Sequence, residues 1–296
     1  MEQHTLLDGI IPPMIVPFRQ DGSLDVQSFR REARYLSSKH INGLSVGGST
    51  GEGAVLSNDE LVRIVEIALE EIPDDLPFVV GIIKNSTREV MQVLAILQDY
   101  RVDAFLITPV FYHGATFEGN KEFFTRICDA STAPVIIYNV VPTNIISPSE
   151  YNHLSKIPGL LGIKQVDPAA LAEIHGICGD TTRIWAACDH MLYSCYVAGA
   201  CGCISALATI APDLCIEQYR AFRDGDQIRA MEIQRMLGPI VRSYLARPFP
   251  GRVKELIRLQ GRSAGLPQHP TLPSTEEDIA AMRLALSSVG LLVNDA

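Results

Sequence analysis

Lys164 closes the run Leu160-Leu161-Gly162-Ile163-Lys164-Gln165-Val166, a short apolar stretch that reads as a buried strand. Burying an ammonium costs solvation, so a lysine at the end of such a strand loses its proton more readily. The neutral amine attacks carbonyls and condenses to a Schiff base. The alternative is a lysine whose ammonium snorkels past the strand end to water. Three other segments bear on the choice. Gly47-Gly48-Ser49-Thr50-Gly51-Glu52 sets two hydroxyls among glycines, where tight turns free backbone N–H groups for a carboxylate or an oxyanion. Tyr138, followed by Asn139, ends another apolar run. A phenol there can relay protons to and from an alcohol or carbinolamine, or else be a satisfied core tyrosine. Gly199-Ala200-Cys201-Gly202-Cys203-Ile204-Ser205 is small enough to leave room beside a lysine.

Such groups need a frame that brings strand ends together. Apolar runs at 10–16, 43–46, 78–82, 104–107, 135–138, 160–164, 183–187 and 202–205 alternate with amphipathic stretches at 25–39, 58–71, 87–100, 118–130, 147–156, 169–178 and 190–198. A further helical stretch, 211–223, follows the last run. Asp25, Ser57, Ser86 and Ser147 stand where N-caps belong. Eight strand–helix units imply parallel strands with crossover helices, which close as a (β/α)8 TIM barrel. A doubly wound sheet is the second choice, but no G-x-G-x-x-G follows a strand. The reading is α/β, with a catalytic barrel over 1–225 and a C-terminal helical extension over 226–296 packed on it. Barrel chemistry sits at the C-terminal ends of the strands, which is where Ser49, Thr50, Tyr138 and Lys164 fall.

Composition narrows the classes. The chain has 296 residues, 47% hydrophobic and 20% charged, enough apolar content for a large core. The net charge is −9, and no basic stripe is present, so neither nucleic acid nor an anionic membrane is an expected partner. The first apolar run is broken by Pro12, Pro13 and Pro17, and no other run is long enough to span a bilayer. The expected location is cytoplasmic. Seven cysteines, an odd number, read as free thiols. Cys201 and Cys203 lack a histidine or second cysteine pair at zinc spacing, so no metal site is read.

In order and spacing these motifs resemble the dihydrodipicolinate synthase / N-acetylneuraminate lyase superfamily of class I aldolases, from Gly9 to Leu292. The landmarks are Gly9-Ile10-Ile11-Pro12 with Pro17-Phe18, Gly48-Ser49-Thr50-Gly51-Glu52, Thr108-Pro109, Tyr138-Asn139, Gly162-Ile163-Lys164 and Gly199-Ala200-x-Gly202-x-Ile204-Ser205. The resemblance implies that Lys164 forms the imine with the keto carbon of pyruvate or another 2-oxo acid. Tyr138 would be the proton shuttle. Ser49 and Thr50, following Gly48, would hold the carboxylate, with Thr50 also in the tyrosine relay. Ile204 would line the pocket by its carbonyl. It also implies a homotetramer built from two tight dimers, and no cofactor, because the protonated lysine imine is itself the electron sink.

The departures concern the far half of the substrate. Synthase members carry Tyr-Asn-x-Pro-x-Arg after the fifth strand, and that arginine holds the carboxylate of aspartate semialdehyde. Here the run is Tyr138-Asn139-Val140-Val141-Pro142-Thr143-Asn144, so the position falls on Thr143 or Asn144. A neutral side chain cannot form a bidentate carboxylate clamp, which reads against lysine biosynthesis. The Asp-Glu pair of sialic-acid lyases is Asp189-His190 here. The relay tyrosine of Pro-Tyr-Tyr falls on Phe111; either Tyr112 substitutes, or the relay uses Thr50, Tyr138 and water. Thr143, Asn144, Asp189 and Ser205 are the distal substrate-binding candidates, with His113, Gln165, Asp167 and His190 behind them. The expected function is a pyruvate-releasing aldolase of a 2-keto-3-deoxy sugar acid. A dehydratase or deaminase through the same imine is the alternative, and a non-catalytic 2-oxo-acid-binding relative is the reading from a different class.

Overall fold

The computed structural model describes residues 7–245 and 248–293. Eight parallel strands form one sheet: β1 (Gly9–Ile10), β2 (Leu44–Val46), β3 (Phe78–Ile82), β4 (Ala104–Ile107), β5 (Val135–Asn139), β6 (Leu160–Gln165), β7 (Arg183–Ala186) and β8 (Gly202–Cys203). The order is β1-β8-β7-β6-β5-β4-β3-β2. A parallel bridge between Pro13 and Ser45 joins the two ends. There Met14 N–H donates to Ser45 O at 2.7 Å and Ser45 N–H to Pro12 O at 3.0 Å. The sheet therefore closes into the (β/α)8 barrel that the alternation of runs predicts. The first strand is shorter than the apolar run at 10–16 because Pro12 and Pro13 have no N–H for the ladder.

Strand alternation sorts side chains into two cores. Ile11, Val79, Leu106, Ile136, Tyr138, Trp185 and Ile204 fill the barrel interior. Leu44, Val46, Phe105, Ile107, Ile137 and Ile163 face the helices. Gly162 makes room for Trp185, since a Cβ there would sit 2.2 Å from Arg183 O and 2.9 Å from the indole ring.

The barrel helices are α1 (Val26–Ser37), α2 (Asn58–Glu71), α3 (Thr87–Leu97), α4 (Phe117–Ala130), α5 (Pro148–Leu154), α6 (Pro168–Cys178), α7 (Leu192–Val197), α8 (Ala206–Ile210) and α9 (Pro212–Arg223). The caps read from sequence are present, with full capping boxes at Ser57/Glu60 and Ser147/Glu150. Two elements differ from expectation. The helix expected over 190–198 is split into a 3-10 turn, Asp189–Met191, followed by α7. The five-residue α8 fills the gap between the apolar run at 202–205 and the helical stretch at 211–223, for which no element is read from sequence; Ser205 caps it by accepting Leu207 N–H at 3.0 Å.

Beyond the barrel lie α10 (Gln227–Tyr244), α11 (Gly251–Arg258) and α12 (Glu276–Ser287). Their apolar faces, including Ile233, Leu237, Ile240, Leu256, Ile257, Met282 and Leu286, belong to the same buried cluster as the outer barrel face. Contacts run from these helices to the mouth of the barrel: Tyr244 and Gln234 reach Asp189, and Lys254 reaches Glu52. Among the described residues, no helix is long and apolar enough to cross a membrane.

Candidate active site

Lys164 lies on β6, opposite Tyr138 of β5 and Trp185 of β7 in the strand registers. Its residue is 4% exposed, so the amine does not snorkel to solvent. Nζ stands 3.9 Å from the centroid of the Tyr138 ring, over its electron-rich face. The Tyr138 hydroxyl donates to Ser49 Oγ at 3.1 Å. One wall thus carries an amine, a phenol and an aliphatic hydroxyl in sequence.

Ser49 opens the 3-10 turn Ser49–Gly51 after β2. Gly51 and Gly53 N–H both donate to Gly48 O, at 3.1 and 3.0 Å, and Glu52 N–H donates to Ser49 O at 3.1 Å. The amides of Ser49 and Thr50 precede the first amide that donates within the turn, that of Gly51, as the leading amides of any helical turn do. The loop is compressed on one side and open on the other. A Cβ at Gly53 would lie 1.8 Å from Gly47 O, while one at Gly48 would meet nothing within 4 Å. A small anion therefore has both space and N–H donors beside Ser49. Ile204 completes the wall from β8, held by its N–H on Ala186 O at 3.1 Å. The relay expectation for Thr50 is corrected here. Thr50 is buried in the turn, and it is the Ser49 hydroxyl that meets Tyr138. The first position of the turn points its side chain into the barrel.

The distal candidates do not assemble. Thr143 is exposed and donates its hydroxyl to Phe111 O. Asn144 is buried and committed: Nδ2 donates to Val110 O at 2.9 Å, and its amide exchanges two bonds with that of Asn120, at 2.8 and 3.1 Å. Both residues tie the β5–α5 loop to the β4–α4 loop, and of the two only Thr143 is open to solvent. Asp189 and Ser205 are also corrected as substrate ligands. One Asp189 oxygen accepts the Ser205 hydroxyl, the other accepts Tyr244, and the Ser205 oxygen also caps α8. Burial pushes the Asp189 carboxyl above the usual carboxylate range.

The remaining candidates scatter. Asp167 is exposed and caps α6, accepting Ala169 N–H at 2.8 Å. Gln165 alternates away from Lys164; its Oε1 takes Val166 and Asp167 N–H at 2.9 and 3.1 Å. His113 packs edge-on to Tyr112, which is 72% exposed. Within one chain Tyr112 does not replace the phenol lost at Phe111, whose half-buried ring packs on the interior core. His190 is exposed, with a ring nitrogen 3.6 Å from Cys188 Sγ.

Two features have no role assigned to them from sequence. Thr108 continues the inward alternation of Ala104 and Leu106, and its buried hydroxyl has no partner among the described residues. Alternation along β4 was sufficient to find it. The buried ion pair between Glu52 and Lys254 spans 202 residues, and no local pattern announces it.

The sequence pattern of the dihydrodipicolinate synthetase family matches residues 6–289. The chain belongs to that family. It is 32% identical, over 97% of its own length and all of the relative's, to the 4-hydroxy-tetrahydrodipicolinate synthase of Acidiphilium cryptum. It is 31% identical to that of Methanothrix thermoacetophila, over 97% of this chain and 98% of that one. Among solved structures it resembles a chloride-inhibited dihydrodipicolinate synthase from Acinetobacter baumannii complexed with pyruvate. The TM-score is 0.92 at 24% identity, covering 97% of this chain and all of the other. At that identity the likeness speaks for the fold. Within the family frame, the amine–phenol–hydroxyl wall occupies the C-terminal ends of the barrel strands.

Proposed function

We propose that this chain is a Schiff-base lyase acting on a 2-oxo acid, releasing pyruvate from a 2-keto-3-deoxy sugar-acid type of substrate. The observation that carries the reading is the buried Lys164 amine set 3.9 Å over the ring of a tyrosine whose hydroxyl meets Ser49. The substrate carboxylate lies on the amides and hydroxyls of Ser49 and Thr50, in the space beside Gly48. Lys164 Nζ attacks the keto carbon. The carbinolamine loses its hydroxyl as water, with a proton delivered from Tyr138, whose phenolate is held beside the Ser49 hydroxyl. The protonated imine then accepts the electron pair of the breaking C3–C4 bond as the Tyr138 phenolate takes the proton of the C4 hydroxyl and the aldehyde departs. The resulting enamine is protonated at C3, and hydrolysis of the imine frees pyruvate and the amine. No metal or organic cofactor enters these steps. The cytoplasmic location and tetrameric assembly expected from sequence belong to the same reading.

The named relatives make the synthase reaction the first alternative. We read against it because Thr143 and Asn144 are neutral, and one is exposed while the other is locked in the loop. Reduction with borohydride in the presence of pyruvate, followed by peptide mass spectrometry, tests the mechanism. A reduced adduct on Lys164, absent from Lys164→Ala, is expected; no adduct with pyruvate or any longer 2-oxo acid would overturn it. Incubation with 2-keto-3-deoxy acids, and separately with pyruvate plus aspartate semialdehyde, tests the substrate. Pyruvate release from the former is expected. Water loss without pyruvate would make the enzyme a dehydratase, and condensation of the latter would make it a synthase.

A further inference from the structure

Lys254 of α11 is fully buried, and the chemistry above does not use it. Its Nζ donates to the Glu52 carboxylate and to Leu266 O at 2.7 Å, and it stands 4.8 Å from the centroid of the Phe18 ring. The second Glu52 oxygen accepts Gln268 N–H at 2.8 Å. Glu52 itself has φ +57°, the only non-glycine among the described residues in the left-handed region. An L side chain holds that conformation at a cost and persists there when its surroundings over-determine it. Here the surroundings are a buried cation and a backbone amide, both supplied by the C-terminal extension. The strained residue is also bonded directly to the turn, through Glu52 N–H on Ser49 O.

We propose that Glu52 and Lys254 are a positioning pair that fixes the orientation of the Ser49–Thr50 amides and hydroxyls toward the substrate carboxylate. The proposal rests on the reading of that turn as the carboxylate site. A buried ion pair adds little net stability once both desolvation costs are counted, but it does fix geometry. Its effect therefore falls on how the carboxylate is held, and Tyr138 and Lys164 remain in place on β5 and β6.

The test uses Glu52→Gln, which keeps the size and the acceptor for Gln268 N–H, together with Lys254→Met and Lys254→Arg. Pyruvate concentration dependence of borohydride trapping and steady-state kinetics are measured on each. In Glu52→Gln and Lys254→Met, the pyruvate concentration for half-trapping and KM rise by about tenfold, while kcat falls less than threefold. Lys254→Arg recovers at least half of the loss on a logarithmic scale. Folded Glu52→Gln and Lys254→Met proteins with half-trapping and KM within twofold of wild type would overturn the proposal. So would equal losses in kcat alone, or failure of both variants to fold, which would make the pair a folding element. If only Lys254→Met fails to fold, Glu52→Gln decides. A wild-type protein that traps no pyruvate would instead sink the functional reading beneath it.

Discussion

Ser49 and Thr50 are adjacent hydroxyls in the same turn, and one side-chain direction separates their roles. Ser49 Oγ is 3.1 Å from the Tyr138 hydroxyl, while Thr50 is packed within the turn. Removing the Ser49 hydroxyl takes away the phenol's partner, so Ser49→Ala should lower kcat at least tenfold more than Thr50→Ala does, measured by pyruvate release at saturating substrate. Tyr138→Phe should lower kcat by ~10²–10⁴, the usual worth of a positioned acid–base group. Its KM should change little, and slow trapping on Lys164 should persist. Equal kcat losses in the two alanine variants would return the relay to Thr50. At this scale Lys164 and Tyr138 were legible because strand-end position and alternation are local properties. Asn144, Asp189 and Ser205 were misassigned because polar residue type says nothing about which neighbour satisfies it.

Between elements, the polar groups first read as substrate ligands prove to be fasteners. Asp189 joins the β7–α7 turn to the start of α8 through Ser205 and to α10 through Tyr244. Asp189→Ala would leave two buried hydroxyls without their acceptor, at about 1–3 kcal/mol each. The expected result is a clear fall in Tm by calorimetry with KM nearly unchanged; a raised KM at constant Tm would restore Asp189 to the substrate. The α11 contact has a pH signature. Burial pushes the Lys254 amine down to about 8, with Glu52 opposing the shift and Arg258 adding to it. Below that pH the amine is charged and paired with Glu52; above it the ion pair is lost. The pyruvate concentration for half-trapping should therefore rise as pH passes about 8, and the rise should vanish in Lys254→Arg, whose guanidinium stays charged. The same rise in Lys254→Arg would assign it to another group.

As a whole molecule, barrel and extension share one buried apolar cluster. Ile233, Ile240, Leu256 and Met282 are fully buried against it. A chain ending at 225 would expose that surface and strip Glu52 of Lys254 and Gln268, and Asp189 of Tyr244. It should fail to give a cooperative thermal transition or native-like near-ultraviolet dichroism, whereas the full chain melts in one step. A folded, cooperative fragment would mean that the extension is an independent module.

The alternation of apolar runs with amphipathic stretches determined the barrel, because strand and helix periods are written locally in residue order. It also placed Lys164, Tyr138 and the Gly48-Ser49-Thr50 turn at the strand ends, where barrel chemistry occurs. Tertiary structure decided which of two neighbouring hydroxyls meets the phenol. It turned Thr143, Asn144, Asp189 and Ser205 from candidate ligands into fasteners. It also set Lys254 against Glu52, a contact between residues 202 positions apart. Spacing along the chain fixes which way a side chain faces, but its partner is chosen when the sheet closes and the last helices fold back onto the barrel mouth.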